Sequence, residues 1–406
     1  MKFTAIHISD IHPHDMTSSK SAYRDEIIKK LKKEKITDAD CLVISGDLFH
    51  RGSLGKKEET ENKTFINKLP GGKCTIVVPG NHDLDRMARI RQKEGYNTFH
   101  DRKTIVRKMG DSVGNTGEFV SSDEEKTVLY KESFGPFFDF SKIMGFKSFC
   151  EIPKEEEQTK YELQQFDVPF SEDQNKKTRF VLINTALIAG QTMTEDEYLD
   201  KIKSKELEYQ TAVNQGNTIK QAEVRLEIEK LKLKYIREDG IIVDNDPFNN
   251  PSKKAGRLSL SKDGNIALGN VNSIDGLKPE EEIVTTIFVG HHGYQFLSSE
   301  TREALKKAMK NCNSSIYLCG HAHRAHYNHF DIQDTGKPRF IEQFQAGVMF
   351  RDDDAHYAQY GFNLIELDVN DTKATCKVTS YFLDKSISED IKWFVDATDV
   401  LSVNLP

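Results

Sequence analysis

The sequence predicts an α/β protein, and three observations predict it. Short apolar runs rich in β-branched residues recur along the 406 residues. Segments with helical periodicity separate them, and most runs end in Gly, Asp, Asn or His. Runs of this length read as strands buried on both faces, and their alternation with helices is the signature of the class.

Taken in order, Phe3 to Ile8 runs into Ser9-Asp10, Cys41 to Ile44 into Gly46-Asp47, and Thr75 to Val78 into Pro79-Gly80. Phe180 to Ile183 meets Asn184, Ile283 to Val289 meets Gly290, and Ser315 to Leu318 meets Cys319-Gly320. Tyr23 to Glu34 and Ser299 to Asn311 carry the helical pattern. Near the end, Arg339 to Phe344, Phe362 to Val369 and Ala374 to Phe382 follow one another as strands with tight turns. They predict a second, largely antiparallel layer of sheet.

Two segments interrupt this scheme within what is expected to be a single domain over 1–406. Residues 86–165 are polar, with aromatic patches at Tyr96 to His100 and Phe134 to Phe149. Residues 191–255 are strongly charged. Within them Ile219 to Ile236 places Val224, Ile228, Leu231 and Tyr235 on one helical face, which predicts a helical insertion. Its apolar seam is a place for a protein partner or a second copy of the chain to bind.

A charged fraction of 30% over a hydrophobic fraction of 37% provides for a core beneath a charged surface. The net charge of −7 argues against a dedicated duplex-DNA binder, which carries a basic face. No segment approaches the roughly 20 apolar residues of a membrane helix, and Met1 to Ile6 lacks a signal-peptide plan. The six cysteines are scattered with no CxxC pair. A reduced, cytoplasmic setting without thiolate-bound metal is therefore the expectation.

The chemistry gathers at the strand ends, where open α/β sheets assemble their sites. Asp10-Ile11-His12, Gly46-Asp47, Gly80-Asn81-His82-Asp83, Gly290-His291-His292 and Gly320-His321-Ala322-His323 all stand there. D-x-H and H-x-H spacing puts two side chains on one side of an extended segment. Imidazole, carboxylate and amide oxygen together suit Mn²⁺ foremost, with Fe, Zn²⁺, Ni²⁺ or Mg²⁺ as alternatives. The set Asp10, His12, Asp47, Asn81, His291, His321 and His323 exceeds what one tetrahedral ion needs. It matches two ions about 3.5–4 Å apart sharing a bridging carboxylate, a clamp for displacement at phosphorus.

These five blocks, in this order, resemble the calcineurin-like metallophosphoesterase superfamily. The resemblance implies a four-layer α/β/β/α sandwich of two mixed sheets. It also implies that Asp10, His12 and His323 hold the first metal and that Asn81, His291 and His321 hold the second, with Asp47 bridging. His291 is preferred to His292 because the family's ligand is the first His after that strand. A hydroxide activated by the metals would attack phosphorus, with His82 facing the substrate and Asp83 orienting its imidazole.

The third block narrows the reaction. Phosphoprotein phosphatases of the superfamily carry GNHE there, with arginines that grip a phosphomonoester. Here GNHD is followed by Leu84-Asp85-Arg86, which leans to the phosphodiesterase and nuclease branches. Gly46-Asp47-Leu48-Phe49-His50 is similar to the repair exonucleases, in which that His approaches the site, so His50 joins the catalytic candidates. An obvious capping domain of those exonucleases is missing, and uncharacterised bacterial members with large inserts are similar at 78–86 and at Gly361 to Glu366. The expected substrate is a phosphodiester of a nucleotide or a nucleic-acid end. A phosphatase, and a scaffold that keeps its metals but not its catalysis, are the alternatives. His326 and His329 are expected on a loop after the last block, and Asn184-Thr185 is expected to satisfy backbone near the site.

Overall fold

The structure is a computed structural model that describes residues 1–11, 18–49, 56–71, 74–83, 123–149, 163–186, 195–225, 277, 280, 282–297, 299–312, 314–323, 325–332, 339–349, 359–370, 373–383 and 393–404. Its frame is two mixed sheets of six strands each.

The first sheet starts from two βαβ units. β1 (Lys2–Ile8), β2 (Cys41–Ile44) and β3 (Thr75–Val77) are parallel neighbours, joined by α1 (Ser18–Lys33) and α2 (Lys56–Ile66). β2 and β3 are buried throughout, as strands covered on both faces must be. On its other edge β1 pairs antiparallel with β10 (Tyr360–Val369), which continues into β11 (Lys373–Leu383) and β12 (Trp393–Asn404). The second sheet has the order β4-β5-β6-β7-β9-β8. It is formed by β4 (Leu163–Pro169), β5 (Lys177–Ile183), β6 (Ile283–Gly290), β7 (Ile316–Cys319), β8 (His326–Ile332) and β9 (Arg339–Gln345). Parallel pairing runs from β5 through β6 and β7 to β9, while β4 and β8 close the edges antiparallel.

The sheets face each other through aromatic side chains. Phe3 on β1 meets Phe170 and Phe180 at centroid distances of 5.4 and 6.3 Å. α1 covers the far side of the first sheet, burying Ile27 and Leu31 and placing Lys30 Nζ 5.1 Å from the centre of the Tyr381 ring. Between β6 and β7 the crossover helix α5 (Ser299–Asn311) buries Ala304, Leu305, Ala308 and Met309. One continuous core results, since side chains of both sheets and of these helices belong to a single apolar cluster. Among the described residues no helix is long and apolar enough to cross a membrane.

Two sequence expectations need correcting. The C-terminal strands do not build a separate antiparallel layer: β10 and β11 extend the first sheet beyond β1, and β9 joins the second beside β7. Pairing at these edges satisfies backbone groups that an open strand edge would leave unpaired. His326 and His329 lie on strand β8 rather than on a loop, because antiparallel pairing with β9 begins at His326.

Within segment 86–165, α3 (Asp123–Met144) packs on the main body. Phe134, Phe137, Phe138 and Phe140 are buried in the common core, with Phe140 edge-on to Phe49 at 5.2 Å. The backbone of Lys147 then pairs with Thr75 and Val77 beside β3. In the charged segment, α4 (Glu195–Asn214) turns back into a helix at 218–225. Lys220 bonds Glu208 at 2.9 Å and Gln221 Nε2 donates to the Ala212 carbonyl, so the predicted helix is present up to 225. Residues 226–236 lie outside the described residues.

Candidate metal centre

Strand ends from both sheets converge where the parallel strands finish. Asp10 follows β1, Asp47 follows β2, Asn81 to Asp83 follow β3, His291 follows β6, and His321 with His323 follow β7. The turns that place them are strained. Of the five described non-glycine residues with positive φ, four are Asp10 (52°), Asp47 (56°), His321 (69°) and His323 (57°). Each such residue costs of order 1 kcal/mol, and clustering of that cost marks a site whose geometry outweighs backbone comfort.

The glycines before the ligands have a steric reason. Gly46 adopts φ +102°, and a Cβ there would lie 2.5 Å from His291 Nδ1. At Gly80 a Cβ would run into the Asp47 carboxylate. Only glycine lets the loops of the first sheet press this closely on each other and on the second.

Side-chain contacts cross the seam between the sheets. His291 Nε2 lies 3.2 Å from Asp47 Oδ2 and 3.0 Å from Asn81 Oδ1. The same Asn81 oxygen lies 2.9 Å from His321 Nδ1, and His323 Nε2 lies 3.1 Å from Asp10 Oδ1. Asp10, Asp47 and His291 form one group able to hold a metal ion, and His291, His292 and His321 form another.

Backbone and polar neighbours fix these orientations. The Ser45 carbonyl accepts from His291 Nδ1 at 2.8 Å, which turns Nε2 toward the oxygens. The His82 amide donates to Asp47 Oδ1 at 2.8 Å, and the His321 amide donates to Asp10 Oδ2 at 3.0 Å. Thr185 Oγ1 accepts from the amides of His291 and His292, the backbone service expected of Asn184-Thr185. Both Asp83 oxygens accept from amides, those of Phe49 at 2.9 Å and Gly80 at 2.7 Å. Asp83 thus closes the loop over the β2 end, and among the described residues it makes no bond to the His82 imidazole.

The electrostatics favour a bound cation. Asp47 and Asp83 are fully buried, and among the described residues neither is paired with Lys or Arg. Burial pushes both carboxyls up; their mutual repulsion adds to this for Asp83, and Asp10 adds to it for Asp47. Burial alone would lower His291, but Asp47 outweighs it and raises the imidazole to about 9. Asp47 Oδ2 has no hydrogen-bond partner among the described residues. A proton on His291 Nε2 can satisfy one facing oxygen, whereas a divalent ion satisfies several at once. The donor set and the buried charge therefore fit metal ions.

His12 and His50 lie outside the described residues. Sequence reasoning missed His7, buried on β1 between Ser45 and Asn363. Asn363 Nδ2 donates to His7 Nδ1 at 3.0 Å, which leaves His7 Nε2–H to donate to Ser45 Oγ at 2.9 Å. Ser380 Oγ donates in turn to Asn363 Oδ1 at 2.7 Å. The available signal was a polar residue interrupting the apolar run of Phe3 to Ile8.

Residues 3–200 match the family model described as calcineurin-like phosphoesterase. A Bacillus subtilis protein named "Uncharacterized metallophosphoesterase-like protein YydB" is 24% identical over 387 residues, covering 94% of this chain. This chain spans 60% of the length of that relative. A protein of Ruthia magnifica named "Probable cyclic nucleotide phosphodiesterase" is 26% identical over 133 residues, 32% of this chain and 55% of its own length. Among solved structures, a dimetal phosphatase from Danio rerio aligns over 93% of this chain and 95% of its own, at 13% identity and a TM-score of 0.38.

Proposed function

We propose that the chain is a dinuclear metal-dependent phosphodiesterase acting on nucleotides or nucleic-acid ends. One observation carries this reading: oxygens from one sheet and imidazole nitrogens from the other meet at 2.9–3.2 Å around a shared, buried point. In this reading Asp10, His12 and His323 hold one ion, Asn81, His291 and His321 hold the other, and Asp47 bridges them. When bound, the ions supply Lewis-acid chemistry, lowering the pKa of water and offsetting charge on the phosphoryl group.

The chain's own residues do the rest. The Ser45 carbonyl keeps the proton of His291 on Nδ1, so that Nε2 offers a lone pair to the centre. The His82 amide and the Asp83 carboxylate hold the loops of the first sheet in register. His82 is assigned to the substrate, its imidazole stabilising charge or protonating the leaving oxygen. His50 is a second candidate, carried by the Gly46-Asp47-Leu48-Phe49-His50 block of the sequence. The name of the Ruthia magnifica relative and the GNHD form of the third block support a diester rather than a phosphoprotein substrate. Free thiols at Cys41, Cys74, Cys312, Cys319 and Cys376 support a reducing, cytoplasmic setting. The two insertions are assigned to substrate selection or partner binding around a single domain.

The test is turnover of bis-p-nitrophenyl phosphate with Mn²⁺ present, followed by a panel of cyclic nucleotides, single strands and duplexes. Activity removed by a chelator and by Asp47→Asn supports the reading. Bound metal without turnover of any diester would turn it toward a vestigial scaffold, and cleavage restricted to cyclic nucleotides would exclude the nuclease branch.

A further inference from the structure

Away from the metal centre, Cys41 opens β2 and Cys74 directly precedes β3. The strands are parallel neighbours with Leu42 opposite Thr75, so the two cysteines stand opposite each other one step earlier. The Leu42 amide donates to the Cys74 carbonyl at 2.9 Å, which locks this register. The Cys41 thiol donates to the Leu42 carbonyl at 3.6 Å, and the two neighbouring thiols influence each other electrostatically. Opposed residues on neighbouring strands point to the same face across a spacing of roughly 4.8 Å, so bridging the pair asks for a small approach to the roughly 3.8 Å between the Cβ atoms of a disulfide.

The two thiols differ in access and in charge. Cys41 is fully buried, whereas Cys74 is partly exposed. Burial pushes Cys41 up, which keeps it a protonated donor. Cys74 is lowered, first by the neighbouring Cys41 thiol and then by the Lys147 ammonium, which together outweigh its own burial. Among the other described thiols, burial raises Cys312, Cys319 and Cys376, the last to about 12. An accessible thiol with a lowered pKa beside a protonated resolving thiol is the arrangement found in reversible thiol oxidation.

We propose that Cys74 and Cys41 form a peroxide-reactive pair, with Cys74 the attacking thiol and Cys41 the resolving one. The Cys74 thiolate attacks one oxygen of a hydroperoxide, the O–O bond breaks, and hydroxide or alkoxide leaves, giving a sulfenic acid. Cys41 sulfur then attacks Cys74 sulfur, and the hydroxyl leaves with the Cys41 proton as water. The pair loses two electrons and the hydroperoxide gains them. A thiol reductant returns the pair to its starting state.

The experiment uses the reduced full-length chain, treated with hydrogen peroxide and mapped by peptide mass spectrometry. A peptide cross-linked through Cys41 and Cys74, released by dithiothreitol, is the expected product. In Cys41→Ser the sulfenic acid should persist and be trapped on Cys74 by dimedone, whereas in Cys74→Ser the Cys41 thiol should survive peroxide unchanged. Without peroxide, Cys74 should alkylate about tenfold faster than Cys376 at neutral pH. Free thiols at both positions after exposure that oxidises other cysteines, or a cross-link that joins Cys74 elsewhere, would overturn the proposal. The wild-type peptide map decides the question even if a serine variant fails to fold.

Discussion

Among the described residues the first sheet meets the candidate site with oxygen, through Asp10, Asp47 and Asn81, whereas the second meets it with nitrogen, through His291, His321 and His323. Their supports differ in the same sense. The acids of the first sheet are held by amide N–H groups, from His82, His321, Gly80 and Phe49. Across the seam, His291 is held by a carbonyl from Ser45, and its amide by the Thr185 hydroxyl oxygen. Neither sheet alone carries a complete donor set. The site is a product of stacking the two, so it is only as well formed as the core around Phe3, Phe170 and Phe180 that aligns them.

This asymmetry can be broken from either side. Asp47→Asn removes the charge shared across the seam and should lower diester turnover on the order of 10³-fold, which raises the barrier by about 4 kcal/mol. Steady-state kinetics with saturating Mn²⁺ would show this in kcat. His82→Ala should cost about 10²-fold in kcat with metal affinity kept, since its assigned task is at the leaving oxygen. Equal losses of kcat and metal affinity would return His82 to a purely architectural role.

His7→Gln sharpens the comparison from behind the site. Losing its bond to Ser45, one residue from the Gly46-Asp47 turn, should weaken Mn²⁺ binding about tenfold by calorimetry. The same variant has a pH signature. Burial depresses the His7 pKa to about 3, against 6.5 for an unperturbed imidazole. The unfolded chain therefore takes up this proton first, so the contribution of His7 is present above pH 6.5 and is lost as pH falls toward 3. Denaturant titrations at pH 7 and pH 5 should show the wild type losing stability more steeply than His7→Gln, by up to about 1.4 kcal/mol per pH unit. Parallel pH profiles would contradict a buried, neutral His7. The smallest effect is expected from removing 195–225. Turnover of bis-p-nitrophenyl phosphate should be unchanged, while preference among nucleotides and strands shifts. An unaltered preference would exclude a selecting role for this arm.

Much of this was legible in the sequence, for physical reasons that also set the limit. Each parallel strand is apolar because it is buried on both faces, so Cys41 to Ile44 could be read to the residue, and the helical periodicity of Ser299 to Asn311 marked the crossover helix as closely. The polar groups at the strand ends stood out against those runs, and the described ones converge. Strand partners were not legible: Phe362 to Val369 reads the same whether it pairs with β1 or builds a separate layer, because pairing is decided by edges distant in sequence. The task of Asp83 was equally hidden, since a carboxylate beside a histidine in sequence can turn to amides instead. His7 and Ser45 matter through contacts with residues 363 and 291, and no local pattern carries them.

The most direct test of the seam is metal stoichiometry. Metal-stripped protein is titrated with Mn²⁺ by calorimetry, and the washed complex is assayed by elemental analysis. The proposed site predicts two ions per wild-type chain and at most one when either Asp47→Asn or His291→Ala breaks the contact between the sheets. Two ions retained by both variants, or full diester turnover by a chain that holds none, would contradict it.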